Sequence, residues 1–237
     1  MSKTKRMTRI TAGRLVSAVV YTQATSADPS HVRRAKSKMS NEARAKQNRR
    51  LSWQKLEGLI AANFRLRRDL WVTLTYDDDH VPSSRQAALT RLDRFMRSLR
   101  ADRRAHGGEL RYIKNVESVT AAGEPTRLHH HCIINAFDND YEVIRSLWPW
   151  GSAIDIEVLG GDGEAFGDIA RYMAKERPPV GSNSWTPSRG LKRPRRESYM
   201  VDESMSLAAP PGAVILERAE DHNAWGEFYY IKYLLPG

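Results

Sequence analysis

The stretch RLHHHCII, residues 127–134, places three of the chain's seven histidines consecutively inside an apolar run. The cysteine and isoleucines that follow the histidines predict a β-strand. Successive side chains of a strand point to opposite faces, so His129 and His131 project together, with Cβ atoms roughly 7 Å apart. This stretch therefore predicts a strand with two chemically different faces.

The opposite parity of the same strand is mainly apolar, with Cys132 and Ile134 on it and His130 as the odd member. We expect this parity to face the protein core. Two imidazoles on the other face can hold one metal ion, so we predict His129 and His131 as a pair of metal ligands. The alternative is a polar edge strand that is rich in histidine for structural reasons alone.

The flanking sequence predicts an antiparallel arrangement around this strand. A second strand covers about residues 110–119, and Gly123-Glu124-Pro125 forms the turn that joins the two. Further strands are predicted at 70–76, 153–158 and 226–235, and helices at 84–104, 141–147 and 164–176. This order predicts an α+β fold with a mostly antiparallel central sheet and helices on one side.

Composition limits the class of protein. The 237 residues are 41% hydrophobic, which suffices for one good core. No apolar run approaches the roughly 18 residues of a membrane span, and the basic N-terminus lacks the apolar stretch of a secretory signal, so we expect a cytoplasmic protein without a membrane partner. The single cysteine, Cys132, has no companion for an internal disulfide or a CxxC zinc site.

Positive charge is concentrated near the N-terminus. The net charge is +10, and residues 1–68 hold 17 Lys and Arg against only three acidic residues. This asymmetry predicts a nearly neutral body with a polyanion-binding extension, and nucleic acid is the expected partner. An evenly spread charge would have indicated only a soluble surface.

The chain is therefore predicted to have three parts. Residues 1–68 form a basic, helical and partly disordered extension, in which the first 40 residues are loop and a basic helix or helix pair covers about 40–64. Residues 69–176 form the core, and 177–237 form a loop-rich segment that ends in a strand. The predicted DNA-binding residues are basic side chains of the extension and of a turn after residue 188: Arg44, Lys46, Arg49, Arg50, Arg65, Arg67, Arg68, Arg189, Lys192 and Arg193.

A metal ion needs a third protein ligand, and the preceding strand offers Glu117. If the two strands pair through the turn near residue 123, Glu117 lies almost opposite the histidines. Two imidazoles and one carboxylate leave open positions on a divalent ion, Mg²⁺ or Mn²⁺, for phosphate oxygens or water. The alternative for Glu117 is a solvated carboxylate.

The helix after the fourth predicted strand offers a nucleophile. Its apolar stripe contains Phe166, Ile169, Ala170 and Met173, and Tyr172 lies off that stripe near Lys175. A phenol close to a divalent cation and a lysine loses its proton more easily and can attack phosphorus. An exposed helical tyrosine with no catalytic role is the alternative.

Together these motifs resemble those of the HUH endonucleases, most closely the single-tyrosine initiators of rolling-circle replication in bacterial plasmids, phages and mobile elements. The resemblance spans about residues 40–195. It rests on the Thr73-Leu74-Thr75-Tyr76 strand, on Glu117, on His129-His130-His131 and on the helix with Tyr172-Met173-Ala174-Lys175, which occur in the family's order. The middle histidine departs from the family pattern, which has a bulky hydrophobe there.

The resemblance implies a palm-like fold, a metal-dependent nicking reaction and a single-stranded DNA origin as substrate. It implies that Tyr172 forms a 5′-phosphotyrosine link, that a free 3′-hydroxyl primes replication, and that Lys175 neutralises charge on the phosphate or the phenolate. A host helicase or polymerase is a further expected partner. The sequence lacks a Gly-x-x-x-x-Gly-Lys-Ser/Thr loop, which agrees with rejoining that needs no ATP.

Three alternatives stay open at this point. A relaxase or transposase of the same superfamily would use the same site. A metal-dependent nuclease that uses water would leave Tyr172 a structural role. A non-catalytic DNA-binding protein would use the histidines for a structural ion.

Overall fold

The computed structural model describes residues 4–23, 41–119, 124–160, 165–175, 183–223 and 226–237. The chain divides into two compact units, residues 1–50 with 192–237 and residues 51–191. Each unit holds one five-stranded sheet in which every described strand pair is antiparallel. The predicted α+β class is confirmed.

In chain order the described elements are β1 (Thr4–Ala12), β2 (Leu15–Gln23), α1 (Asn41–Asn63), β3 (Leu70–Leu74), α2 (Arg85–Ala105), β4 (Tyr112–Val119), β5 (Pro125–Ile134), α3 (Asp140–Leu147), β6 (Ile154–Val158), α4 (Gly167–Met173), β7 (Trp185–Pro187), β8 (Arg195–Val201), β9 (Val214–Asn223) and β10 (Gly226–Leu234). A 3-10 turn covers Asp78–His80. The order of strands is β6-β3-β5-β4-β7 in the sheet of residues 51–191 and β8-β1-β2-β10-β9 in the other sheet.

The sheet of residues 51–191 is covered on both faces. On one face Val72, Cys132 and their even-numbered neighbours pack against α2 and α3. On the other face Ile113 and Ile133 pack against the second half of α1 and against α4. The predicted placement of helices on one side therefore holds for α2 and α3 only, because the strands β3, β4 and β5 are apolar on both parities and need cover on both faces.

Helix α2 begins and ends close to its predicted bounds. Ser84 caps its N-terminus by accepting a hydrogen bond from the backbone N–H of Ala87. Its apolar stripe, which includes Leu92, Phe95 and Leu99, is buried against the sheet. Near its C-terminus Arg103 is fully buried and donates to Asp140 at 2.7 Å, and this pair ties α2 to the start of α3.

Residues 4–23 contradict the predicted loop, because they form the hairpin of β1 and β2. Gly13 has a φ of 58°, which suits the tight turn between the strands. Apolar residues at alternate positions, Met7 on β1 and Val16, Ala18 and Val20 on β2, face the core of this unit. The basic and polar residues between them hide this period of two in the composition.

The C-terminal segment also contains more strand than predicted. β7, β8 and β9 lie in regions that the sequence predicted as loop or left undefined, and β10 was predicted. Because β8 and β10 pair with β1 and β2, the two ends of the chain form one unit, which differs from predicted boundaries at residues 68 and 176. Such pairing between distant segments leaves no local signal.

Helix α4 is shorter than the predicted 164–176. It ends at Met173, and the N–H of Lys175 bonds to the carbonyl of Tyr172 at 3.2 Å just beyond it. The turn at 120–123, the glycines at 161 and 163 and the prolines at 178 and 179 lie outside the described residues. Among the helices that are described, none combines the length and the hydropathy needed to cross a membrane.

Candidate active site

The pairing of β4 with β5 brings the three predicted ligands together. Glu117 is the pairing partner of His129, and Asn115 is the partner of His131. Alternation places Glu117, His129 and His131 on the sheet face that α4 covers. The hairpin that the sequence predicted therefore aligns the carboxylate with both imidazoles.

The ligand atoms of these residues converge on one point. His129 Nε2 lies 3.2 Å from His131 Nε2, and Glu117 Oε2 lies 3.2 Å from His131 Nε2. Glu117 Oε1 lies 3.7 Å from His129 Nε2. Two atoms that each bind one ion at about 2.1 Å lie roughly 3 Å apart, so Glu117, His129 and His131 could hold a metal ion.

Neighbouring groups orient both imidazoles for this role. His129 Nδ1 lies 2.8 Å from the carbonyl oxygen of Arg127, which can only accept, so Nδ1 carries the proton and Nε2 keeps its lone pair. His131 Nδ1 lies 3.1 Å from the hydroxyl of Thr73 on β3. Partners of this kind on the second ring nitrogen fix the orientation of metal-binding histidines.

Burial supports the same reading of the group. It is the largest cause that lowers the pKa of His131, to about 4, so the imidazole is neutral near pH 7 and its lone pair is available. Glu117 is buried, and its Oε2 has no hydrogen-bond partner among the described residues. A buried carboxylate oxygen without a donor is costly in a protein, and a cation would compensate that cost.

Tyr172 projects from α4 toward this group. Its hydroxyl lies 3.2 Å from His131 Nε2, and its side chain is 38% exposed. Trp71 on β3 stacks on the imidazole of His131, with ring centroids 4.9 Å apart, and meets the ring of Tyr172 edge-on at 6.0 Å. The tyrosine is thus held beside the metal-ligand group and stays open to solvent.

Charges around Tyr172 oppose each other. Burial and the Glu117 carboxylate raise the pKa of Tyr172, whereas Lys175 acts to lower it. Lys175 Nζ donates to Glu117 Oε1 at 2.7 Å and lies 3.6 Å from the centroid of the Tyr172 ring. The sequence predicted a more acidic phenol, and the described residues alone give the opposite direction, because the carboxylate adds to the effect of burial.

Asn115 was not predicted, and it links the elements that carry the site. Its Oδ1 accepts from the backbone N–H of His131 at 3.2 Å, and its Nδ2 donates to the carbonyl of Met173 at 3.3 Å. The side chain is buried. Asn115 therefore joins the histidine strand to the end of α4, one residue beyond Tyr172.

Thr73 and Trp71 were also missed as site residues. Both lie at odd-numbered positions of β3, and the pairing of Thr73 with His131 puts them on the face of the metal-ligand group. Asn115 shares the parity of Glu117 on β4. A parity argument extended to these two neighbouring strands would have found all three.

His130 points to the opposite face, as the sequence predicted. It is fully buried, its Nε2 lies 2.6 Å from the hydroxyl of Tyr76, and its ring meets that of Trp148 with centroids 5.5 Å apart. Burial lowers the pKa of His130 to about 3, so it is neutral. It belongs to the core between the sheet and α2.

The basic residues predicted to contact DNA lie in three segments. Four are on the first half of α1, three are between α1 and β3, and three are between β7 and β8. Their side chains are exposed, except that of Arg49, which is half-buried. They are divided between the two compact units.

A family model of replication-associated proteins, those of the ORF2 type, matches residues 69–177. This range contains Glu117, His129, His131, Tyr172 and Lys175, and the match is consistent with an initiator of rolling-circle replication. No curated protein and no solved structure matches the chain significantly.

Proposed function

We propose that this chain nicks and rejoins single-stranded DNA at a replication origin through a covalent link to Tyr172, and so initiates rolling-circle replication. One observation carries the proposal, namely the Tyr172 hydroxyl 3.2 Å from His131 Nε2, next to the Glu117–His129–His131 group. A nucleophile and a group able to hold a cation at this distance can act on the same phosphate.

The reaction is a transesterification. The Tyr172 oxygen attacks the scissile phosphorus and forms a phosphotyrosine bond to the 5′ side of the break, while the bond from phosphorus to the 3′ oxygen breaks. The phenol proton ends on the released 3′ oxygen, so no water is consumed. Attack by a 3′-hydroxyl on the phosphotyrosine reverses the step and rejoins the strand without an external energy source.

The residues of the site supply the charge that this step requires. A divalent cation, Mg²⁺ or Mn²⁺, held by Glu117, His129 and His131 would polarise a phosphate oxygen and offset the carboxylate that raises the pKa of Tyr172. Lys175 brings a second positive charge within 3.6 Å of the centre of the phenol ring. It is suited to stabilise a phenolate or a phosphate oxygen.

The partner that follows from this reaction is the single-stranded origin of the element that encodes the chain. Release of a 3′-hydroxyl would pass the strand to a host polymerase, and a host helicase would supply further single strand. The exposed basic residues on α1 and on the segments around residues 65–68 and 189–193 are available for phosphate contacts.

The decisive experiment is a covalent-adduct assay. The protein is incubated with Mn²⁺ and labelled single-stranded DNA that contains the origin, and the products are separated on a denaturing protein gel. We expect a labelled band at the mass of protein plus DNA fragment for the unaltered chain and complete loss of that band for Tyr172→Phe. Tyr141→Phe, at a tyrosine 53% exposed on α3, is the matched control and should keep the band.

Two results would refute the proposal. Cleavage without an adduct would indicate a nuclease that uses water. An adduct that persists in Tyr172→Phe and maps to Tyr76, Tyr112 or Tyr141 would assign the wrong nucleophile.

A further inference from the structure

The sheet of residues 1–50 and 192–237 exposes aromatic side chains on the face opposite its core. The core face carries Met7, Val20 and Ile231. On the other face, here the outer face, Tyr21 on β2 and Phe228 on β10 are direct pairing partners. Their side chains are 37% and 39% exposed. Directly paired residues have Cβ atoms about 5 Å apart, so the two rings form one surface.

This surface continues along and across the strands. Tyr230 follows Phe228 at the next position of the same face and is half-buried. Arg6 on β1 pairs with Tyr21, and exposed Met200 on β8 pairs with Arg6. A cation and polarisable apolar groups thus lie in one row across four neighbouring strands.

Charge on the outer face is of one sign over these four strands. The described positions of β8, β1, β2 and β10 that share the face include Arg6, Arg196 and Lys232 and no acidic residue. The acidic residues of the same strands, Glu197 and Glu227, alternate onto the core face. Within the described part of this sheet, acidic residues enter the outer face only on the edge strand β9, where Glu217 lies 3.8 Å from Lys232.

We propose that the outer face is a second binding surface for single-stranded DNA, on which bases stack against Tyr21 and Phe228 while Arg6 contacts a phosphate. Proteins that bind single strands without reading their sequence combine cationic groups with exposed aromatic rings, because every base has a face that can stack. An antiparallel sheet that presents two or three aromatic rings on adjacent strands has the geometry for this. The inference rests on the proposed function only for the choice of DNA as the polymer.

The test measures binding in the absence of cleavage. Fluorescein-labelled oligothymidine is titrated with protein in EDTA, and fluorescence anisotropy gives the affinity. We expect the double variant Tyr21→Ala/Phe228→Ala to bind roughly tenfold to a hundredfold more weakly. Tyr21→Trp/Phe228→Tyr keeps both rings and should restore the affinity, which excludes misfolding as the cause.

Tyr199→Ala is the matched control. Tyr199 is also an exposed aromatic residue of this sheet, but it lies on the core face, where its hydroxyl contacts Met7 Sδ at 3.4 Å. Removing it should leave the affinity for oligothymidine unchanged. An equal loss in Tyr199→Ala would overturn the assignment to the outer face.

Salt dependence separates the two kinds of contact. Loss of one phosphate contact to a single strand reduces the slope of log affinity against log salt by about 0.7. We expect this change in Arg6→Ala, whereas the aromatic double variant should keep the slope of the unaltered protein. An unchanged slope in Arg6→Ala would remove the phosphate contact from the proposal.

The surface could instead bind a second copy of the chain, and light scattering decides this. A dimer that becomes a monomer in Tyr21→Ala/Phe228→Ala, with unchanged binding of oligothymidine, would overturn the proposal. Failure here is also distinguishable from failure of the proposed function. Lost binding in the double variant with no adduct from any origin would leave the stacking surface standing without the nickase, and the reverse pattern would leave the nickase alone.

Discussion

The two faces of β5 use the same residue type in opposite ways. On one face His131 lies among Glu117, Tyr172 and the hydroxyl of Thr73, next to a side chain that is partly open to solvent. On the other face His130 lies between Tyr76 and Trp148 in the closed core. Both imidazoles are neutral because burial lowers their pKa values.

The difference between them is the set of groups that each ring nitrogen meets. His131 Nε2 faces a carboxylate oxygen that has no hydrogen-bond donor among the described residues, so a cation would satisfy both. His130 Nε2 already has the Tyr76 hydroxyl at 2.6 Å. One step along the chain thus separates a candidate metal ligand from a core residue, and strand parity makes the assignment.

The largest effect should come from removing one ligand of the metal-binding group. A ligand that binds only the folded protein stabilises it by about 2.7 kcal/mol at a concentration one hundred times its dissociation constant. We therefore expect Mn²⁺ to raise the melting temperature of the unaltered protein and not that of His131→Ala. His106→Ala, at an exposed histidine after α2, is the control and should respond like the unaltered protein. A Mn²⁺ response that survives in His131→Ala would place the metal elsewhere.

Removal of the link between the histidine strand and α4 should act on the reaction more than on the ion. Asn115→Ala deletes the bonds to the His131 N–H and to the Met173 carbonyl, so Tyr172 loses part of its support. We expect a normal Mn²⁺ response in melting and adduct formation slower by roughly ten to a hundredfold, because small misplacements of reacting groups have effects of that size.

Asn135→Ala is the control for this loss of a buried amide. Asn135 follows β5 and bonds to Arg103 and to the backbone at Glu109 and Arg111, away from the site. It should lower stability while the rate of adduct formation at a temperature where the protein is folded stays the same. Equal slowing in both variants would show that Asn115 acts through general stability.

Substitution on the core face should separate stability from metal binding. His130→Leu leaves the buried Tyr76 hydroxyl without its partner, which should lower the free energy of unfolding by about 1–3 kcal/mol. Adding Tyr76→Phe removes the orphaned hydroxyl and should recover much of that loss. Urea unfolding measures both. The Mn²⁺ response should persist in both variants, and its loss in His130→Leu would mean that the two faces are coupled.

The sequence predicted the site better than the fold that surrounds it. Alternation along β5 is a local pattern, and the short connection to β4 made the pairing of Glu117 with His129 predictable. Tyr172 was found because it lies off the apolar stripe of α4. These are properties of single elements or of one hairpin.

What the sequence missed depends on distant segments. The pairing of β1 with β8 and of β2 with β10 joins residues roughly 200 positions apart, so nothing in residues 4–23 alone indicates it. The bonds of Asn115 need three elements in place at once. The pKa of Tyr172 is raised because Glu117 comes close in three dimensions, which spacing in the sequence does not give.

The smallest effect should come from the group behind His131. Thr73→Val keeps the shape of the side chain but removes the hydroxyl 3.1 Å from His131 Nδ1, so the imidazole loses the partner that orients it. Partners of this kind change metal affinity by about 10–100-fold, and for a single neutral hydroxyl we expect roughly tenfold weaker Mn²⁺ binding, measured by calorimetry. Thr75→Val is the matched control, because Thr75 lies just after β3 at the same parity but its hydroxyl donates to the carbonyl of Ala153. Equal affinities in the two variants would mean that Trp71, which stacks on the ring, is enough to orient His131.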